Sequence, residues 1–242
     1  MLAERGLEVT KAKMSRKGAQ QNGRVRAILK MLRKHYPQSS TALEHEDPFQ
    51  LLIATILSAQ CTDVRVNMVT PQLFARYPTV ADLAGAAQAD VERLIKTTGF
   101  FRNKAKAIRG CCQAIVEKHG GRVPETMDEL VQLPGVGRKT ANCVLGNALG
   151  KPTGIVVDTH VHRLANRLGL SDKQDPEKVE LDLMAVIPKS SWIAIGNMLI
   201  DHGRKICNAR KPLCDQCPLL AHCPAGGEYM EGGRGGKHAR GH

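Results

Sequence analysis

Four cysteines stand within a short stretch near the end of the chain: Cys207, Cys214, Cys217 and Cys223, spaced C-x6-C-x2-C-x5-C. Four thiolates at close quarters mean a Zn²⁺ ion or an iron–sulfur cluster, and the segment has to fold around that group. Spacing alone does not choose, because both accept four sulfurs. Structural zinc sites commonly show two paired knuckles, and here only Cys214 and Cys217 are paired, which leans toward a [4Fe–4S] cubane. His222, beside Cys223, is a rival ligand. A disulfide framework would suit a small secreted domain, and residues 1–22 contain no apolar secretion segment. The other cysteines, Cys61, Cys111, Cys112 and Cys143, fall inside helical patterns and read as small buried hydrophobes.

A second constraint lies earlier, at Leu133-Pro134-Gly135-Val136-Gly137-Arg138-Lys139-Thr140-Ala141-Asn142. Met127, Leu130, Val131 and Leu133 recur at helical intervals, so a helix is expected over residues 125–133. Pro134 stops it. Gly135 and Gly137 permit a tight turn or close backbone approach. A new helix starts near Lys139, with Ala141, Val144, Leu145 and Ala148 on its apolar face. Helix, Gly-x-Gly turn, helix resembles the helix-hairpin-helix motif, whose backbone N–H groups suit a DNA phosphate. Gly-x-Gly by itself also fits an ordinary helix–helix turn. Charge favours the phosphate: 35 Lys+Arg against 23 Asp+Glu leave a net +12, which points to an anionic partner, and nucleic acid is the usual one.

The rest of the chain reads as all-α. Val25, Ile28, Leu29, Leu32 and Tyr36 share one helix face. Pro37 and a Ser/Thr cluster close that helix. Phe49–Leu57 is almost wholly apolar and is the expected centre of a first domain. It ends at Ser58-Ala59-Gln60-Cys61-Thr62-Asp63, where Thr62 and Asp63 can both cap the next helix. Further helices are expected at 63–74, 80–86, 90–97 and 103–119. Phe100 and Phe101, half of the four Phe in the chain, sit together in a basic loop, with one expected to pack inward. Asp158 stands at the N-cap of a helix over 161–168, followed by helices over 176–187 and 191–202. Gly-rich, basic sequence from Gly226 onward has no periodicity and is expected to be a flexible tail over 226–242, as is 1–22 at the other end. There is no internal repeat, and no apolar run reaches the ~18 residues of a membrane span.

Taken together, Ser58–Asp63, Leu133–Asn142, Val157-Asp158-Thr159-His160-Val161 and the four cysteines resemble the endonuclease III family, DNA glycosylase/AP lyases of the helix-hairpin-helix superfamily. The resemblance runs over residues 23–225, with the motifs in the family's order. It implies two helical domains with a DNA-binding cleft between them: a six-helix domain at 41–131, and an iron–sulfur domain made of 23–40 with 132–225. It implies that Cys207, Cys214, Cys217 and Cys223 hold a [4Fe–4S] cluster, and that Lys139 and Asp158 are the catalytic pair. Gln60 maps onto a gap-filling residue and Phe100 onto a wedge, where Leu is common in the family. Gly135, Gly137 and Arg138, with Arg210 and Lys211 in the cysteine loop, map onto DNA contacts. Leu213 stands where a basic residue is expected, and the Lys139-to-Asp158 connection is one residue longer, at Thr153-Gly154. The expected partner is duplex DNA carrying oxidised pyrimidines or abasic sites, met by a monomer in a reducing compartment, the bacterial cytoplasm at the nucleoid.

The chemistry is consistent with that assignment. A free lysine is almost wholly protonated at neutral pH, so a nucleophilic Lys139 needs activation, which a helix N-terminus and desolvation both supply. Alone, Lys139 could equally bind phosphate, like Arg138 beside it. A carboxylate at Asp158 stabilises a cationic sugar and helps move protons. Two other readings compete: a monofunctional adenine-mismatch glycosylase, which lacks the lysine, and a non-enzymatic iron–sulfur DNA-binding protein, which has no reason to keep both Lys139 and Asp158.

Overall fold

The structure, a computed structural model, describes residues 21–232. The tail expectations for residues 1–20 and 233–242 lie outside the described residues. Helices and turns account for all regular structure among the described residues, with no strand, as the 3.6-residue patterns require. None of these helices is long and apolar enough to cross a membrane. Helix α1 covers residues 21–35, so Gln21 and Asn22, read as tail, are already helical.

The chain divides into two units. Ser40–Val156 form one; among the described residues, 21–39 and 157–232 form the other. In the first unit α2 (Pro48–Leu57) is central. Asp47 caps it by accepting from the Gln50 amide at 2.7 Å, and Pro48 fits the first turn. Leu51, Leu52, Ile53, Ala54 and Leu57 have no exposed surface, so this helix is apolar on every side because it is surrounded on every side. Each buried Leu or Ile there contributes about 1.5–3 kcal/mol of transfer free energy. On it pack α3 (Asp63–Arg76), α6 (Phe101–His119) and α8 (Arg138–Asn147), while α4 (Val80–Gly85) and α5 (Gln88–Ile95) pack on α6 and α7 (Met127–Leu130) packs on α8.

α7 is shorter than the expected helix over 125–133. Thr126 caps it, which leaves Glu125 outside, paired with Lys151 at 2.6 Å. After Leu130 the chain tightens into i→i−3 turns, with the Leu133 N–H on the Leu130 carbonyl, and still buries Leu133. α8 joins the core of α2 through Ala141, Cys143, Val144 and Leu145. Packing groups residues 132–156 with 40–131, so this unit runs on to Val156, past the 131/132 division that the resemblance implies. Burial also accounts for the cysteines here: it pushes the Cys111 thiol up to about 12 and the Cys112 and Cys143 thiols upward too, so they are inert core residues.

The second unit contains α1, α9 (Thr159–Arg167), α10 (Pro176–Val186), α11 (Trp192–Lys205) and α12 (Gly226–Gly232). Val25, Ile28 and Leu32 of α1 are buried, and polar ties fix the helix: Arg33 donates to Ser191 Oγ at 2.7 Å and Arg24 to the carbonyls of Leu168 and Gly169. α12 corrects the expected tail over 226–242 for its first seven residues. The Arg167 guanidinium lies over the Tyr229 ring, 4.8 Å from its centroid, and the Gly226 N–H donates to the Cys223 carbonyl at 3.0 Å. These contacts with the cysteine segment outweigh the low helix propensity of three glycines.

Candidate functional site

The hairpin assigns different work to its two glycines. Gly135 has φ +76°, and a Cβ there would meet the Ala107 Cβ at 3.0 Å, so conformation and space both demand glycine. Gly137 has φ −96°, open to any residue, and a Cβ there would meet nothing within 4 Å. The protein has no need of glycine at 137; what the residue provides is bare backbone facing open space. Gly137 is also the N-cap of α8 and offers no side-chain cap to the first-turn amides. The positive end of a helix whose cap residue brings no side chain, with Arg138 and Lys139 as its first two residues, suits an anion. Lys139 is exposed; one turn on, Cys143 is buried.

Asp158 is the N-cap of α9. Its Oδ1 accepts from both His160 N and Val161 N at 2.8 Å, which fixes the carboxylate and keeps it half-buried. Both bonds fall on one oxygen, so Oδ2 is left for another partner.

Gln60 and Phe100 share a property that sequence does not display. Among the described residues they are the two non-glycine positions with positive φ, +52° and +47°. A left-handed backbone costs a residue with a Cβ about 1–3 kcal/mol and persists where the surroundings impose it, often at functional sites. Both side chains face solvent; Phe100 is 65% exposed while Phe101 packs on the core. One buried lysine braces this region. Lys104 is 5% exposed, its Nζ donates to the Thr98 carbonyl at 2.8 Å just before Gly99-Phe100, and Cys61, next to Gln60, is close enough to act on its charge. Burial lowers the Lys104 pKa, and Cys61 opposes that shift. Phe100→Gly relieves backbone strain and removes few contacts, so its thermal midpoint should equal or exceed that of the parent. Its turnover of a damaged duplex should fall at least about tenfold, the pattern expected of strain kept for function. Full turnover, or a large drop in midpoint, would discard that reading of Phe100.

The four late cysteines line one cavity of about 320 Å³, its open mouth included, together with Arg167, Ile206, Pro212, Leu213, Leu220 and Tyr229. All four are free thiols and half-buried. Arg163 and Arg167 of α9 clamp this segment. Arg163 Nη2 donates to the Gly203 and Cys207 carbonyls at 3.0 Å. Arg167 donates to the Asn208 and Ala209 carbonyls at 2.8 Å and to Cys207 Sγ at 3.3 Å. The loop so held carries Arg210 and Lys211, both exposed. On the inner side, His202 of α11 is 2% exposed, with Nδ1 2.8 Å from the Tyr36 hydroxyl and Nε2 3.5 Å from Cys217 Sγ. His202 and Lys104 had one available signal: a polar residue recurring on an apolar helix face.

Residues 53–189 match the model of the HhH-GPD superfamily, base excision DNA repair proteins. The chain is 53% identical over 210 residues to endonuclease III of Synechocystis sp., covering 87% of this chain and 96% of that one. Two solved structures are similar at 43% identity and TM-score 0.82. One is a non-covalent endonuclease III–DNA complex, covering 87% of this chain and 98% of that one. The other is a trapped endonuclease III–DNA covalent intermediate, covering 86% and 98%.

Proposed function

Since the chain belongs to the endonuclease III family of HhH-GPD base excision DNA repair proteins, we propose that it is a bifunctional DNA glycosylase/AP lyase acting on oxidised pyrimidines and abasic sites in duplex DNA. The observation that carries the reading is the hairpin: a glycine that the fold does not need, standing as the side-chain-less N-cap of α8, and Lys139 in the first turn of that helix. A structural relative caught in a covalent DNA intermediate supports a nucleophile of this kind.

In this mechanism the hairpin amides hold a backbone phosphate, and Gln60 and Phe100 enter the duplex as the damaged nucleotide leaves the stack. The neutral amine of Lys139 attacks C1′, and the base departs with the bonding electron pair. Asp158 stabilises the cationic sugar through the carboxylate oxygen left free by its capping bonds. Sugar ring opening gives an imine between Lys139 and C1′. Loss of a 2′ proton then expels the 3′ phosphate by β-elimination. Arg210 and Lys211 meet phosphates from the cysteine loop. An adenine-mismatch glycosylase would have no use for Lys139.

The donor set fits a [4Fe–4S] cluster. Four sulfurs line one cavity, and an iron–sulfur cluster is held by four cysteine thiolates. Burial pushes the Cys214, Cys217 and Cys223 thiols up, and a thiophilic group that takes the thiolates offsets that cost. When bound, the cluster ties residues 207–223 together through its Fe–S bonds. Iron analysis of the purified protein should give about four irons per chain with a yellow-brown colour, and Cys214→Ser should lose both. Stoichiometric zinc in protein purified anaerobically would refute the assignment. The activity itself is tested by borohydride trapping and base release on duplexes carrying an oxidised pyrimidine, with an adenine-mismatch duplex as the competing substrate. Preferential turnover of the mismatch without a trapped adduct would favour the monofunctional alternative.

A further inference from the structure

We propose that Tyr36 and His202 form a hydrogen-bonded chain ending on Cys217 that sets the reduction potential of the cluster; this rests on the iron–sulfur reading above. Histidine on the core face of α11 has to be accounted for, because at 2% exposure its two nitrogens are cut off from water. Both are used. Nδ1 lies 2.8 Å from the Tyr36 hydroxyl and Nε2 3.5 Å from Cys217 Sγ. The Tyr36 ring stands edge-on to the imidazole, centroids 5.7 Å apart at 77°, so the end of α1 holds the ring in place from the side away from the sulfur.

The direction of the chain follows from what each atom can do. A thiolate bound to iron has no proton and can only accept, so the nitrogen facing it carries the hydrogen: Nε2–H donates to Sγ. In the neutral imidazole Nδ1 is then the acceptor, and the Tyr36 O–H donates to it. A hydrogen bond to cluster sulfur stabilises the electron-richer, reduced state more than the oxidised one, and so raises the potential. Arg167 makes the corresponding contact to Cys207 Sγ at 3.3 Å, but it is only half-buried, and water can replace it. At His202 nothing can. Tyr36 acts one bond further out, by polarising the imidazole, and its effect should be the smaller.

The test is the cluster's midpoint potential, measured by a redox titration followed by electron paramagnetic resonance on the full-length, iron-loaded protein. His202→Leu should shift the potential to more negative values. His202→Gln, whose amide N–H reaches as far as Nε2, should restore part of the shift. Tyr36→Phe should move it in the same direction by less. A His202→Leu protein with full iron and the parent potential would overturn the proposal. If His202→Leu fails to assemble the cluster, Tyr36→Phe decides, and an unshifted potential there overturns it. A parent protein without iron would overturn the cluster reading itself, and this proposal with it.

Discussion

Lys139→Ala protein should give no borohydride-trapped adduct on an abasic-site duplex and no strand nicking, while still binding that duplex. Trapping works because hydride reduces the carbon–nitrogen double bond of the imine to a stable amine. Without a lysine amine at C1′ there is no imine to reduce, and the loss is of the whole signal rather than a fraction of it. Binding should survive because the contacts proposed for it are elsewhere: the Gly137 backbone, the positive end of α8, Gln60 and Phe100. Folding should survive as well. Lys139 is exposed in the first turn of a helix, and alanine is the better helix former, by a few tenths of a kcal/mol at most. Near-parental base release by Lys139→Ala would make water the nucleophile and favour the monofunctional reading. A residual adduct would show that another amine does the chemistry.

What could be read in advance was what is local in sequence. Four cysteines at fixed spacing, Pro-Gly-x-Gly after an apolar helix, and an aspartate ahead of a helix each declare their role within about twenty residues, because metal ligation, turns and caps are short-range. Gln60 and Phe100 came only through resemblance. Their left-handed backbone is a property of the folded chain, and no composition rule reports it. Tyr36 and His202 were out of reach for a different reason: 166 residues separate them, and neither means anything without the other. In sequence Arg163 and Arg167 only make a helix basic; their role shows once the Cys207–Ala209 carbonyls are placed beside them. The allegiance of α8 is of the same kind. Its apolar face shows that it joins a core, but only packing shows that the core is that of α2.

Asp158→Asn should slow base release by about 10²–10³-fold, the ~3–4 kcal/mol typical of a lost electrostatic partner at a developing charge, with little loss of stability. The substitution separates two functions of one side chain. Oδ1 accepts both capping bonds, from His160 N and Val161 N, and an asparagine amide oxygen can take its place. The cap therefore persists, whereas Asp158→Ala would forfeit it at about 1 kcal/mol. What asparagine cannot supply is the negative charge beside a cationic sugar. The two chemical steps should also come apart. On a preformed abasic site no base has to leave, so Asp158→Asn should still form a trapped adduct through Lys139, at a rate reduced less than base release is. Combined with Lys139→Ala it should add little on a damaged-base duplex, because residues serving one step are not additive. Parental base release by Asp158→Asn, with folding intact, would confine Asp158 to capping α9.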